Sequence, residues 1–336
     1  MDAIPLIRSR YLQAFAAAAE AEGVRSLQLA EHLKIPERLF EDPNTIHPAN
    51  QLFAFAAGAA RAADRSDLGL VAGRNKIEDH GDFGLRVARS LTLHQALGVF
   101  CADALREYSK AFFWIERRGE STWFCRHKID GELDERRQVE LYLVELMLQT
   151  VRMVAGVQWR PREIWLQTDE VAVLRDTATL AQLNVRFCSP ILAIPVPRQL
   201  MSRTLPKSSR DRASVNEERG GSELSNLQVE DFVGSLDHVV RLYLGGSFPS
   251  IDEFSEAVGL SVRTLQRRLG DAGTTYTQLV DEVRARTALP LLEDPGILLT
   301  DIAFDLGYSH PSHFTRAFRR WAGVTPSEYR AHHLTG

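Results

Sequence analysis

The chain has 336 residues, 44% of them hydrophobic and 25% charged, with a formal net charge of −4. That length favours two domains over one, and the composition is that of an ordinary globular protein able to bury a core in each half. No apolar run is long enough to span a membrane, and Cys101, Cys125 and Cys188 are too dispersed for a disulfide framework or a metal site, so a reducing cytoplasm is the expected compartment.

The amino terminus carries Asp2, Arg8, Arg10, Glu20 and Glu22 and reads as an amphipathic helix rather than a signal peptide, with Ile7, Tyr11, Phe15 and Ala18 on one face. Residues 5–64 read as helices throughout. Two short pieces lie between Val24 and Phe40, broken near Ile35-Pro36, and an alanine-rich buried helix covers Ala49 to Ala63. Asp82-Phe83-Gly84 matches the metal-binding tripeptide of protein kinases, but no strand lysine or HRD motif accompanies it. A turn leading into a helix at Leu85–Ser90 is the simpler reading, and a further helix runs from about Thr92 to Tyr108.

Ala111–Ile115 and Thr122–Ile129 are rich in aromatic and β-branched residues and flank Arg118-Gly119-Glu120, which predicts a β-hairpin. A long helix is predicted over Leu133–Val154, a strand over Glu163–Thr168, a helix over most of 171–183, and short strands at Val185–Cys188 and Ile191–Val196. The first 204 residues are therefore expected to form an α+β domain. Tyr108, Phe112, Phe113, Trp114, Trp123 and Phe124 form an aromatic set able to line a pocket or to serve as core. Arg106 or Arg126 has the charge to neutralise an acidic effector. Arg106, Tyr108, Trp114 and Trp123 are the candidate effector residues.

Residues 205–224 have almost no apolar content and read as a linker. Helical periodicity resumes at Leu227–Leu244. The segment from Ser250 to Gly270 then repeats, about 48 residues later, between Leu298 and Ala322. Phe254 corresponds to Ile302, Ser255 to Ala303, Val258 to Leu306 and Gly259 to Gly307; Leu265 and Leu269 match Phe314 and Phe318 after a one-residue insertion. Each copy is a short apolar helix, a glycine turn and a second helix bearing arginines, which is the helix-turn-helix pattern. Residues 225–336 are thus expected to form an all-α domain with units at about 250–270 and 298–322, joined by a helix over Thr275–Leu292. This half holds 10 Arg, no Lys and 14 Asp plus Glu. A DNA-binding reading must therefore rest on the placing of the arginines, because affinity depends on the phosphate-facing surface and not on net charge. His310 and His313 lack a third ligand, so no metal is expected.

The block Gly307-Tyr308-Ser309, Phe314-x-Arg316-x-Phe318-Arg319-Arg320 and Gly323-x-Thr325-Pro326-Ser327-Glu328-Tyr329-Arg330, with the two repeated units, resembles the AraC family of bacterial transcription regulators. Gly81-Asp82-Phe83-Gly84, Leu91–Ala96, Trp159-Arg160-Pro161 and Val185-x-Phe187 resemble the amino-terminal domain of one subgroup, labelled arabinose-binding-like; the label does not establish a sugar ligand. The resemblance implies recognition helices at Ser261–Gly270 and Pro311–Ala322, lying in successive major grooves of double-stranded DNA. Arg263, Gln266 and Arg267 of the first and Ser312, Thr315 and Arg316 of the second would face the bases, and Arg268, Arg319 and Arg320 would face phosphates or remain surface residues. The expectation is a cytoplasmic, homodimeric regulator, an activator or a repressor, with RNA polymerase as a further candidate partner, a small-molecule effector in the amino-terminal domain, no cofactor and no membrane partner. Two departures stand out. Pro290 falls inside the connecting helix and should end it near Leu289 or kink it. Leu298 stands where Ser250 caps the first unit, so Thr300 or Asp301 is expected to cap a later-starting helix. The competing readings are a DNA alkyl-transfer repair enzyme fused to a DNA-binding domain, which needs an activated cysteine, and a regulator whose amino-terminal domain only dimerises.

Overall fold

The computed structural model describes residues 2–170, 177, 179–181, 183–206, 231–246 and 248–334. The chain divides into two compact units, Pro5–Gln228 and Val229–Gly336, the latter together with Met1–Ile4.

The first unit opens with strand β1 (Leu6–Arg8), paired antiparallel with β2 (Ile46–Pro48). Between them lie α1 (Ser9–Ala21), α2 (Ser26–His32) and a 3-10 turn at Glu37–Phe40, and α3 (Ala49–Ala62) follows β2. The all-helical reading of 5–64 is therefore corrected: Leu6, Ile7 and Arg8 are all buried and bond across to 46–48, so pairing overrides the helical spacing of Ile7 with Tyr11. Next come α4 (Leu68–Ala72), a 3-10 turn at Ile77–Asp79, α5 (Gly81–Ala88) and α6 (Leu93–Glu107), which begins with Thr92 accepting the Gln95 amide at 3.3 Å. Asp82-Phe83-Gly84 lies within α5 as packing. A Cβ on Gly84 would stand 1.7 Å from the Ile77 carbonyl oxygen, so only glycine lets α5 approach the preceding turn.

Five strands form one sheet in the order β3-β4-β7-β5-β6: β3 (Phe113–Arg118), β4 (Ser121–Arg126), β5 (Glu163–Trp165), β6 (Asn184–Arg186) and β7 (Leu192–Pro197). The hairpin is present, but its strands meet at Arg118↔Ser121, so Gly119 and Glu120 alone make the turn. β5 and β6 pair in parallel and the other neighbours antiparallel. The long helix α7 (Leu133–Ala155) packs on α3 and α4, and a short helix α8 (Arg198–Met201) follows β7. Gln138 of α7 latches the α3–α4 connection, donating to the Ser66 carbonyl at 2.9 Å and accepting from the Gly69 amide at 2.9 Å. The helix read over 171–183 falls mostly outside the described residues, as does the linker from residue 207 onward.

In the second unit, α9 (Phe232–Arg241) precedes two helix-turn-helix modules. The first is α10 (Ile251–Ala257) and α11 (Val262–Asp271); the second is α13 (Leu299–Asp305) and α14 (Pro311–Ala322). α12 (Tyr276–Glu293) connects them and α15 (Pro326–Leu334) closes the unit. The helix neither ends at Leu289 nor stops at Pro290 but continues one turn further, where Arg330 donates to the Leu292 carbonyl at 3.0 Å and bonds its end. α13 begins at Leu299, in register with α10, and no side chain caps it; the expected late start is corrected.

Candidate nucleic-acid interface and effector cavity

The two modules are built alike down to their turns. Gly259 and Gly307 have φ of +71° and +78°, and the next residue's amide in each reaches back to close the turn, Leu260 to the Ser255 carbonyl and Tyr308 to the Ala303 carbonyl, both at 2.9 Å. At Gly307 the approach is also tight: a Cβ would lie 2.6 Å from the Gly246 carbonyl oxygen. The second helices bury one apolar stripe each, Leu265 and Leu269 in α11 and Phe314, Ala317 and Phe318 in α14. Burial of a residue the size of Phe314 or Phe318 contributes roughly 1.5–3 kcal/mol. Phe314 stacks edge-on against Phe318 at 5.7 Å between centroids, and Phe318 against Tyr329 at 5.6 Å. These rings are core and present no face to a base.

The opposite helix faces are exposed. Arg263, Gln266 and Arg267 are spaced i, i+3, i+4 on α11, and Ser312, Thr315 and Arg316 repeat that spacing on α14. Ser261 caps α11 by accepting the Thr264 amide at 3.2 Å, and Thr315 returns its hydroxyl to the Pro311 carbonyl at 3.1 Å. The remaining arginines of the unit are engaged. Arg241 and Arg286 pair with Asp237, Arg320 with Asp281 at 2.5 Å, and Arg330 with the end of α12. Arg284 is held between Phe248 and Tyr308, 4.4 and 4.3 Å from their centroids, and donates to the Leu306 carbonyl at 2.9 Å. Arg268 is half-buried over the Phe232 ring at 5.2 Å, with Nη1 3.5 Å from the Asp2 carbonyl oxygen. Among the described residues, Arg263, Arg267, Arg316 and Arg319 make no ion pair, and all four lie on α11 or α14. Arg284 was not singled out from the sequence, since its task is tertiary: it ties α12 to the turn of the second module.

In the first unit, strand alternation splits the candidate effector residues between two faces of the sheet. Trp114 and Trp123 pack with Cys125, Trp165 and Ala193 on one face, where Trp123 and Trp165 lie 4.6 Å apart and Arg118 and Arg186 cover Trp165. Phe113, Phe124 and Arg126 face the helices. There a cavity of about 40 Å³ is lined by β1, α1, α3, α5, α6, α7 and the hairpin, with Tyr108, Phe113, Phe53, Phe83 and Phe100 among its walls. Of the four candidates only Tyr108 lines it; Arg106 turns away toward Asp103 at 3.6 Å and is partly exposed.

Two charged side chains reach the cavity. Glu107 is held by Arg10 at 3.2 Å, Arg8 at 3.5 Å and the Tyr11 hydroxyl at 3.2 Å; burial raises its pKa and the two guanidiniums oppose that rise. Arg126 is 1% exposed. Burial draws its pKa down to about 10 despite Tyr108, Glu140 and Asp130 nearby. The same alternation that puts Phe124 in the core would have placed Arg126 beside it.

The Cys125 thiol is buried and that of Cys101 half-buried. Burial pushes Cys101 and Cys125 up to about 12, with Glu116 adding to the rise at Cys125. Among the described residues no group of three His, Cys, Asp or Glu could hold a metal ion, and no helix is long and apolar enough to cross a membrane.

Comparison with known proteins places both units. Residues 23–205 match the arabinose-binding domain of AraC transcription regulators, N-terminal part, and residues 254–332 match a helix-turn-helix domain. VirS of Mycobacterium tuberculosis, an HTH-type transcriptional regulator, is 40% identical over 88% of this chain and 89% of its own length. An uncharacterized HTH-type transcriptional regulator of the same organism is 39% identical over 93% and 92%. The ornithine utilization regulator of Pseudomonas aeruginosa is 27% identical over 97% and 96%. The chain belongs to the AraC family of transcription regulators, with a helix-turn-helix DNA-binding domain and an amino-terminal ligand-binding domain.

Proposed function

We propose that α11 and α14 are the base-reading helices of this regulator, and that Arg263, Gln266 and Arg267 of the first and Ser312, Thr315 and Arg316 of the second contact base edges. What supports this reading is that, of the described arginines of the second unit, Arg263, Arg267, Arg316 and Arg319 have side chains engaged in no ion pair, side-chain hydrogen bond or ring contact and lie on these two helices, while the others are held by Asp237, Asp281, backbone carbonyls or aromatic rings. A guanidinium offers a bidentate fork to guanine, a glutamine amide pairs with adenine, and the hydroxyls reach bases or phosphates. Arg319 and Arg320 act as phosphate contacts, Arg320 by exchanging Asp281 for a phosphate. Arg268, packed on Phe232, has the smallest part. The polar stretch 205–224 is the linker between domain 1–204 and domain 225–336.

The experiment is a footprint and a gel shift on the promoter next to the gene. Arg267→Ala and Arg316→Ala should each cost about 1–3 kcal/mol and relax specificity at a single base position. Unchanged binding in both variants would overturn the assignment. Homodimerisation and contact with RNA polymerase belong to the same reading and rest on the family resemblance. Two linked domains on repeated half-sites would raise avidity through effective concentration, and sedimentation at the concentrations used for footprinting measures whether the dimer forms.

A further inference from the structure

Arg126 is a cation placed where a folded chain seldom leaves one. Its Nε is buried with no hydrogen-bond partner. Its Nη1 donates to the adjacent His127 carbonyl at 3.0 Å. Beyond that it rests on aromatic faces, with its guanidinium carbon 5.8 Å from the Tyr108 centroid and 5.5 Å from that of Phe113. Among the described residues no carboxylate forms an ion pair with it. Glu140, the buried carboxylate in its surroundings, spends its two oxygens on the amides of Gln167 at 2.6 Å and Thr168 at 2.8 Å. A buried charge without a counter-ion is costly, and such groups are ordinarily paired. Arg126 is among the residues that line the cavity, whose walls are otherwise almost all carbon.

The other charge at the cavity, Glu107, is already neutralised by Arg8 and Arg10, so an ammonium group entering there would find no free anion. The unmatched charge on the cavity wall is therefore positive, that of Arg126, in an apolar space with few groups to receive the hydroxyls of a sugar. We infer that the cavity binds a small monocarboxylate with an apolar body, its carboxylate on the Arg126 guanidinium and its body among Phe53, Phe83, Phe100 and Tyr108. This rests on the amino-terminal unit being the ligand-binding domain, and it names the chemical class of that ligand.

The test is isothermal titration of the full chain with formate, acetate, propionate, butyrate and isobutyrate, sizes matched to a cavity of about 40 Å³, and with the primary amide of each. Saturable binding of at least one acid is expected, with its amide weaker by about 100-fold or more, the loss that follows from leaving a buried charge unpaired. Arg126→Met should lose a similar factor, while circular dichroism and urea unfolding show the fold retained. Ala104→Val fills part of the cavity without touching the charge, and should weaken the longer acids more than the shorter ones. The inference is overturned if an amide binds as well as its acid, if Arg126→Met binds the acid as wild type does, or if none of the five acids binds. Binding of arabinose or ornithine that survives Arg126→Met would overturn it as well. A gel shift on the same samples keeps the regulator reading separate, since acid binding without any DNA binding would defeat that reading and leave this one standing.

Discussion

Arg126 and Arg267 carry the same side chain and differ in everything around it. One is sealed among rings in the first unit, the other stands in solvent on a helix; both lack a carboxylate partner within the described fold. Residue type alone marks either as a candidate. What separates them is the environment, which for Arg267 follows from the Leu265–Leu269 stripe and for Arg126 from the register of a hairpin. Arg106, Trp114 and Trp123 were attractive from the sequence because charge and aromaticity are visible there, whereas the face a side chain takes depends on where the strand starts. His47 shows a residue whose behaviour only tertiary burial reveals. It is fully buried, and desolvation lowers its pKa from 6.5 to about 4 against weaker support from Pro48 and Gln51. Below pH 6.5 the unfolded chain takes up a proton that the folded ring refuses, so this contribution to stability is lost as pH falls toward 4 and is fully present above 6.5. Urea unfolding of wild type and His47→Gln at pH 7 and pH 4 should show the difference between them shifting by about 3 kcal/mol in the variant's favour at the lower pH.

At the scale of elements, local rules fixed most boundaries in the second unit. Its capping residues are local signals: Ser250 with Glu253, and Thr325 with Glu328, make reciprocal capping bonds as their spacing implies. The exceptions are places where a neighbour decides. β1 and β2 are three residues each and exist because they pair with one another, and α12 runs through Pro290 although an internal proline costs about 3 kcal/mol in a regular helix. The helix-turn glycines illustrate the difference between local and tertiary demand. Gly323 and Gly307 share a φ near +77°, yet a Cβ meets open space at Gly323 and the Gly246 carbonyl at Gly307. Gly323→Ala should therefore cost about 1–2 kcal/mol, the backbone penalty alone. Gly307→Ala should cost at least about 1 kcal/mol more, because chain must move as well. Chemical denaturation of the two variants side by side measures that gap, and equal losses would show that the turn at 307 has room to yield.

For the molecule as a whole, a net charge of −4 is an unpromising start for a DNA-binding protein. The acids are not idle, however: Asp237 and Asp281 hold Arg241, Arg286 and Arg320, so much of the second unit's charge is spent internally. Attraction to phosphate then depends on a few placed arginines, and salt should act on few contacts. Arg319→Ala should reduce the slope of log K against log salt by about 1, with a similar loss of affinity on every DNA sequence. A slope unchanged from wild type would show that Arg319 stays in solvent. The division into a mixed amino-terminal part and a helical DNA-binding part was legible because each has its own periodicity and the modules repeat. The cavity was not, since it is assembled by elements distant in sequence. One last asymmetry separates the otherwise parallel modules. The leading turn of α10 is closed by Ser250 and Glu253, while that of α13 starts on Leu298, exposed and without a side-chain bond. The second module should therefore open from its leading end more often than the first. Deuterium should enter the amides of residues 299–301 ahead of those of 251–253, and Leu298→Ser with Asp301→Glu should slow that entry by about 5-fold, the kinetic counterpart of a cap worth about 1 kcal/mol.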